Sequence, residues 1–233
     1  MSEDRSAAAL PEGAEKVKAV DRMFDTIAPR YDLLNRILTF GMDVGWRKKT
    51  VRSLSLPAGS KVLDLACGTG DLCRELSTSG LRPAGVDRSA GMLAAARTTA
   101  ALVRGDALRL PVADGSIDGI VCGFALRNFL ALEPFLAECA RALRPGGRLG
   151  LLEVAAPANP VLRAGHSAYF GTVVPLVGGL LSDRAAYRYL PRSVAYLPPG
   201  NGIVTLLAGA GFPDAHRRLL SVGIAQLLTG TRS

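Results

Sequence analysis

The residues best suited to bind a ligand or do chemistry lie in a glycine-rich turn that ends at Gly70. An apolar run, Val62-Leu63-Asp64-Leu65, leads into Ala66-Cys67-Gly68-Thr69-Gly70. Glycines let a backbone turn sharply and approach a ligand closely. The spacing falls short of the dinucleotide motif G-x-G-x-x-G, because Cys73 stands where the third glycine would be. The turn therefore predicts a ligand site of another kind, with four candidate residues: Asp64, Gly68, Thr69 and Gly70.

Two more acidic positions follow at later strand ends. Asp87 comes directly after the next predicted strand, 23 residues beyond Asp64. A carboxylate there can accept hydrogen bonds from both hydroxyl groups of a ribose. Asp106 and Ala107 follow a third short apolar run. Because ligands of open α/β sheets bind at the carboxyl ends of the strands, these residues extend the same candidate site.

The elements that must position these residues alternate between strand and helix. Strands are predicted over residues 62–65, 83–86, 102–104, 117–122 and 148–154, and helices over 71–77, 89–101 and 132–143. Ser89 is the expected N-cap of the second helix. The alternation predicts an α/β fold with a Rossmann-like, mostly parallel sheet and helices on both faces. A helix over 203–210 and strands over 215–220 and 223–228 would add an antiparallel edge.

The flanking regions differ in character from this alternating centre. Residues 1–16 have no periodicity and are predicted to be a disordered tail. Residues 17–233 are interpreted as one domain with a helical lid over 17–56, in which two helices break around Pro29. Residues 157–200 are interpreted as an insertion near the substrate. Its apolar stretch, residues 169–181, fits either a core helix or the wall of an apolar tunnel or membrane-facing lid.

The composition narrows the function classes. The net charge is +8, from 28 Lys and Arg against 20 Asp and Glu, which suits nucleic acid or an anionic membrane surface. The chain lacks the Asn/Asp-Pro-Pro-aromatic run of enzymes that methylate exocyclic amines of bases, which argues against nucleic acid. With two histidines, few metal ligands are available, and no metal is expected. The four cysteines form no C-x-x-C pair, and no hydrophobic leader follows a basic start, so we expect a cytoplasmic protein.

Several motifs together carry a resemblance to a known family. The run from Asp64 to Gly70 resembles the D-x-x-x-G-x-G signature of class I methyltransferases, in which the loop holds the methionine part of S-adenosylmethionine. Further motifs span nearly the whole chain from about Val17, and together they resemble the ubiquinone/menaquinone biosynthesis C-methyltransferases. They are Phe24-Asp25-x-Ile27-Ala28-x-Arg30-Tyr31-Asp32-x-x-Asn35, Phe40-Gly41-x-x-x-x-Trp46-Arg47, Asp71-Leu72, Leu126-Arg127-Asn128, Leu143-x-Pro145-Gly146-Gly147, Glu153, Tyr187-x-Tyr189-Leu190-x-x-Ser193 and Ala210-Gly211-Phe212.

The resemblance implies a reaction and residues for it. Members methylate a ring carbon of a polyprenylated quinol with S-adenosylmethionine, and menaquinone-type members convert demethylmenaquinol to menaquinol. The resemblance supports Arg127 and Asn128 as active-site residues, and a guanidinium at that strand end would stabilise a phenolate. Tyr31 would relay a proton or hold a quinol oxygen. Two alternatives stay open: Arg127 as a solvated or ion-paired residue with Asp32 or Glu153, and Tyr31 as a packing residue.

The chain departs from the family pattern next to Arg127. Many relatives carry Ser-Phe-Gly before Leu-Arg-Asn, with the serine near the cofactor, whereas this chain has Gly123-Phe124-Ala125. Gly123 is therefore expected to contact the cofactor without a hydroxyl group. The departure leaves open a methyltransferase of secondary metabolism that acts on another aromatic substrate, and a noncatalytic S-adenosylmethionine-binding partner is a third reading. Peripheral contact with an anionic membrane is expected, and a homodimer is left open.

Overall fold

A seven-stranded sheet forms the centre of the molecule. The computed structural model describes residues 13–174, 176, 189 and 192–233. The strand order is β3-β2-β1-β4-β5-β7-β6. The strands are β1 (Lys61–Leu65), β2 (Arg82–Asp87), β3 (Ala101–Arg104), β4 (Ile117–Gly123), β5 (Leu143–Val154), β6 (His216–Leu220) and β7 (Ala225–Thr231). The pairs among β1 to β5 are parallel, and β7 is antiparallel to both β5 and β6. The predicted mostly parallel sheet with an antiparallel edge is confirmed.

Helices cover the sheet because its inner strands are apolar on both faces. They are α1 (Gly13–Ile27), α2 (Tyr31–Leu38), α3 (Met42–Ser53), α4 (Asp71–Thr78), α5 (Ala90–Ala94), α6 (Leu132–Ala142), α7 (Pro160–Ala168) and α8 (Gly202–Gly209). Ile120 on β4 and Phe135 on α6 are fully buried in the same apolar cluster. Close packing of this kind fixes the strand ends, and with them the loops that follow the strands.

The N-terminal helices lie over the carboxyl edge of the sheet. The predicted break at Pro29 is a short 3₁₀ turn, Ala28–Arg30, between α1 and α2. Asp25 on α1 accepts hydrogen bonds from the Ser89 hydroxyl at 2.5 Å and from the Gly91 amide at 2.9 Å. Lys16 donates to the Phe129 carbonyl at 2.8 Å. These contacts join α1 to the loops after β2 and β4.

Several boundaries differ from the sequence predictions: β5 begins at Leu143 rather than at residue 148, and β7 runs over Ala225–Thr231 rather than over 223–228. Two further differences follow from tertiary contacts. The tail was expected to reach residue 16, but α1 begins at Gly13 and Lys16 is buried; residues 1–12 lie outside the described residues. Ser89 caps α5 as expected by accepting from the Met92 amide, yet α5 ends at Ala94 rather than at Ala101. The chain leaves the helix because the Arg97 amide donates to the Thr69 carbonyl at 3.1 Å. Most of the stretch 175–191 also lies outside the described residues.

Candidate active site

The glycine-rich turn after β1 has the tight geometry that its sequence predicts. Gly70 has a φ of +82°, and a Cβ atom there would lie 2.7 Å from the Thr98 side chain. Residues with a side chain rarely adopt such a φ, so glycine is required at this position on both conformational and steric grounds. Gly70 lies in neither of the two larger cavities described below, so it shapes the turn rather than lining a site. Beside it the Thr69 hydroxyl donates to Asp32 of α2, which ties the turn to the N-terminal helices.

Asp64 is a buried carboxyl with spare hydrogen-bonding capacity. Only 1% of the residue is exposed, and Oδ1 has no partner among the described residues. Burial raises the pKa of Asp64 to about 7, and the Cys73 thiol, 3.4 Å from Oδ2, opposes that shift. The carboxyl lines a small cavity of about 30 Å³ together with Gly68, Thr69 and Gly123. A cationic ligand group there would satisfy Oδ1 and favour the ionised carboxylate.

Asp87 organises the neighbouring loops through its carboxylate. Oδ2 accepts from the Gly68 amide at 2.7 Å, and Oδ1 accepts from the Ser89 amide at 2.8 Å. Burial raises the pKa of Asp87, and these backbone hydrogen bonds oppose the shift. Each carboxylate oxygen can accept a second hydrogen bond, so capacity remains for ligand hydroxyl groups.

A cavity of about 200 Å³ gathers most of the residues predicted from the strand ends. Its floor contains five of the predicted cofactor residues: Gly68, Asp87, Asp106, Ala107 and Gly123. Asp106 is held in place by the Leu108 amide and by Arg88, each at 3.0 Å. The opposite wall comes from α1, which lies within the predicted helical lid. Sequence reasoning did not assign its lining residues Val17, Val20 and Phe24 to the site, because their helical spacing signals only a buried face.

A second cavity, of about 390 Å³, adjoins the first and is lined mainly by apolar side chains. Tyr31 and Phe124 line both cavities, so the two spaces meet at these residues. Phe124 has a φ of +59°, an uncommon conformation for a bulky side chain that costs about 1–3 kcal/mol and is often found at functional sites. A ligand in one cavity can thus meet a ligand in the other beside the Phe124 ring.

Arg127 and Asn128 are neighbours in sequence but line different cavities. Arg127 lines the larger cavity, whereas Asn128 lines the smaller one and accepts a hydrogen bond from Tyr189 at 3.3 Å. The Arg127 guanidinium pairs with Glu153 of β5, the ion pair that the sequence left open. Both side chains are buried, with 6% and 0% exposed. The pair does not saturate Arg127, because its Nε has no partner among the described residues.

Tyr31 projects from the first turn of α2 to the junction of the cavities. Burial raises its pKa, and a hydrogen bond with the Asn35 side chain one turn later opposes the shift. The Tyr31 ring also meets Phe24 edge to face, with ring centroids 6.0 Å apart. The side chain therefore packs, as the alternative interpretation held, and its hydroxyl is oriented by a polar partner at the same time.

The larger cavity contains a polar group that sequence reasoning did not assign. Arg47 of α3 pairs with Asp43 and lies 3.1 Å from Asp71, and its guanidinium is 5.7 Å from the centre of the Phe124 ring. Trp46, its neighbour, donates from Nε1 to the Ser221 hydroxyl at 2.8 Å. The signal was present, because Trp46 and Arg47 belong to a family motif, but their partners are distant in sequence. The group fixes one wall of the cavity around Phe124.

The fold and the two joined cavities define a class I S-adenosylmethionine-dependent methyltransferase. The donor set fits the methionine and nucleoside parts of that cofactor, since Asp64 presents an unpaired buried oxygen and Asp87 presents spare acceptor capacity. More particularly, the chain belongs to the ubiE/COQ5 methyltransferase family, whose model matches residues 12–232.

Curated relatives cover nearly the whole chain. A demethylmenaquinone methyltransferase of Roseiflexus sp. (strain RS-1) is 40% identical, over 97% of this chain and 99% of its own. One from Thermus thermophilus is 41% identical, over 90% of this chain and 100% of its own. A ubiquinone/menaquinone biosynthesis C-methyltransferase of Syntrophotalea carbinolica is 41% identical, over 91% and 93%.

Solved structures show the same fold at low sequence identity. A methyltransferase from Thermotoga maritima superposes with a TM-score of 0.66 at 19% identity, over 91% of this chain and 99% of that chain. A phosphoethanolamine N-methyltransferase from Haemonchus contortus, crystallised with S-adenosyl-L-methionine, has a TM-score of 0.57 at 14% identity, over 93% and 56%. This chain is accordingly an S-adenosylmethionine-dependent methyltransferase by family and by fold.

Proposed function

We propose that the protein methylates a ring carbon of a reduced polyprenylated quinol, converting demethylmenaquinol to menaquinol. The observation that carries the proposal is the apolar cavity of about 390 Å³ that meets the cofactor cavity at Tyr31 and Phe124. An aromatic ring with an apolar chain suits such a space. The names of the relatives support the same acceptor.

Each candidate residue has a role in this proposal. When bound, the cofactor supplies an electrophilic methyl group. Asp64 holds the cofactor's ammonium group, Asp87 its ribose, and Asp106 with Ala107 the adenine, while Gly68, Thr69, Gly70 and Gly123 shape the loops around them. Arg127 stabilises negative charge on the acceptor's oxygen, and Glu153 holds the guanidinium in place. Tyr31 and Asn128 line the cofactor cavity and hold the acceptor's reacting edge beside it.

A panel of acceptors tests the proposal. Demethylmenaquinol should be methylated with a kcat/KM at least ~100-fold above that of short phenols, because its apolar prenyl chain fills the cavity. The oxidised quinone should not react, since its ring carbon is no longer nucleophilic. Equal turnover of phenols that lack a prenyl chain would instead favour a methyltransferase with another aromatic substrate.

We also propose that the mouth of the acceptor cavity docks on an anionic lipid surface. Three large apolar residues on the cavity rim are strongly exposed, Phe40 at 76%, Val161 at 79% and Val222 at 72%. Phe40 and Val222 both have a φ of +51°, which is costly for bulky and β-branched side chains. A strained backbone that holds apolar side chains in water suits a surface that contacts lipid.

The charge of the chain segments around the rim supports an anionic lipid surface as the partner. Residues 30–52, 157–174 and 215–224 together contain nine Lys and Arg against two Asp. Basic residues near an apolar rim attract anionic headgroups. No helix among the described residues is long and apolar enough to cross a bilayer. The proposal is therefore a peripheral contact that lets a prenylated acceptor pass directly from the bilayer into the cavity.

Vesicle flotation tests the lipid contact. The protein should float with phosphatidylglycerol vesicles at low salt, and less with zwitterionic vesicles or at high salt. Val222→Asn should weaken flotation without unfolding the protein, because Asn tolerates a positive φ. The matched control is Val103→Asn, which alters a valine that is 43% exposed on β3, at the other edge of the sheet. Equal flotation of both variants and the wild type would refute this docking face.

A further inference from the structure

His166 is a titratable group in the acceptor cavity that the mechanism above does not use. It lies near the end of α7 and lines the larger cavity. Its ring packs against Phe170, with centroids 4.3 Å apart. The Nε2 atom is buried and has no hydrogen-bond partner among the described residues. A buried polar atom without a partner is costly, and such atoms are usually satisfied by a ligand or by water.

The other titratable groups of the cavity are already engaged. Asp43 is paired with Arg47 and accepts from the Thr39 hydroxyl at 2.9 Å. Tyr169 donates to the Leu38 carbonyl at 3.0 Å. Tyr31 is held by Asn35, and Arg127 is paired with Glu153. Among the described lining residues, His166 therefore offers a nitrogen that is free to accept a proton.

The setting of the ring favours its neutral form. Burial lowers the pKa of His166 below its usual range, and two guanidinium groups, those of Arg47 and Arg127, line the same cavity. A neutral imidazole has one donor and one acceptor nitrogen. In the tautomer that carries its proton on Nδ1, the unpartnered Nε2 can accept a hydrogen bond from a hydroxyl group and then its proton.

We propose that His166 accepts the proton of a ring hydroxyl of the methyl acceptor. This inference rests on the proposed quinol methylation. The O–H bond breaks, the proton goes to Nε2, and the electron pair stays on the oxygen and raises the electron density of the ring carbon. That carbon bonds to the methyl group while the methyl–sulfur bond breaks with its electrons left on sulfur. The ring carbon then loses its hydrogen to solvent as a proton, and Nε2 returns its proton to the oxygen, so that one proton is released per turnover.

Kinetics of two histidine variants test the proposal. His166→Asn should lower the methyl-transfer kcat about 100-fold, with the KM for the quinol changed only a few-fold and cofactor affinity unchanged. The acidic limb of the wild-type rate profile, which reports an imidazole, should disappear in this variant. His216→Asn alters the chain's other histidine, which lies on β6 beside Thr229, and should behave as the wild type. A wild-type kcat in His166→Asn would overturn the proposal.

Nitrogen NMR gives a readout that does not depend on turnover. The chain has two histidines, so the imidazole signals are readily assigned with the His166→Asn and His216→Asn variants. A soluble naphthalenediol added without cofactor should shift the Nε2 signal of His166 and quench Trp46, the sole tryptophan, which lines the same cavity. Quenching of Trp46 with no shift at His166 would overturn the proposal. If the naphthalenediol shifts the Nε2 signal but the wild-type protein does not methylate the quinol, the result would count against the proposed function instead.

Discussion

At the scale of single residues, the buried carboxyl of Asp64 lowers the stability of the ligand-free protein near neutral pH and favours cofactor binding. Its carboxyl is buried with one oxygen unpaired, and burial raises its pKa to about 7 from an ordinary value near 3.8. The neutral form is therefore stabilised by folding. The contribution is complete below the unfolded pKa and is lost progressively as the pH rises from there to about 7. At higher pH the protein carries an uncompensated buried charge until a cationic ligand group arrives.

Asp64→Asn should raise the free energy of unfolding of the ligand-free protein at pH 8 by up to ~4 kcal/mol. At pH 5 the gain should fall to about 2 kcal/mol, because Asp64 is then neutral in the folded protein but still ionised in the unfolded chain. Denaturant unfolding of both proteins at the two pH values measures the difference. The same variant should bind S-adenosylmethionine more weakly. An equal gain at both pH values would show that the carboxyl does not titrate near neutrality.

Variants of Arg127 test whether its buried positive charge stabilises the acceptor's oxygen during methyl transfer. Arg127→Leu alone should destabilise the fold by about 3–5 kcal/mol, because Glu153 is left buried and unpaired. Adding Glu153→Gln should restore most of the stability while keeping the oxygen that accepts from the Val154 amide at 2.8 Å. The double variant should still transfer methyl groups about 10²–10³-fold more slowly at unchanged cofactor affinity. Single-turnover rates and calorimetric titration measure both quantities, and a wild-type rate in the double variant would remove Arg127 from the chemistry.

At the scale of elements, α1 is proposed to act as a lid on the cofactor. It forms one wall of the cofactor cavity and is fastened by Asp25 to the start of α5. Those hydrogen bonds lower the pKa of Asp25, so the carboxylate is ionised near neutrality. Cofactor exchange then requires α1 to detach from the loop after β2.

Asp25→Ala should speed the release of S-adenosylmethionine roughly fivefold, the effect of losing about 1 kcal/mol at an exposed site. Release of labelled cofactor into an excess of unlabelled cofactor measures the rate. The control is Asp118→Ala, which removes a partly exposed carboxylate that likewise accepts two hydrogen bonds, from the Lys61 amide and from Arg144, at the start of β4. If both variants release the cofactor at the wild-type rate, α1 does not act as a lid.

Local patterns predicted the elements that bring Asp87, Asp106 and Arg127 to the sheet edge, because strand ends follow from apolar runs and turn residues. They failed where distant contacts decide the conformation. Lys16 is buried because its ammonium group meets the Phe129 carbonyl and the Tyr196 ring, 3.5 Å from its centre. The early end of α5 follows from the bond between Arg97 and Thr69. Sequence reasoning assigned His166 no role, since only the folded chain shows what its ring faces.

At the scale of the whole molecule, the fold joins two environments at one point. The carboxyl edge of the parallel strands supplies polar groups for the cofactor, while α2, α3 and α7 enclose an apolar space for the acceptor. Phe124 and Tyr31 stand between them, and the exposed apolar rim opens the acceptor cavity outward. This arrangement suits methyl transfer to an apolar aromatic acceptor, and the proposed lipid contact would deliver that acceptor through the rim.

The most direct test of this account follows the methyl group itself. The wild-type protein is given ¹³C-methyl S-adenosylmethionine and reduced demethylmenaquinol in phosphatidylglycerol vesicles for a single turnover, and the product is examined by carbon NMR. We predict a labelled aryl methyl group, bonded to the ring carbon, in menaquinol. A labelled methoxy group, or no labelled product from a protein that binds the cofactor, would contradict it.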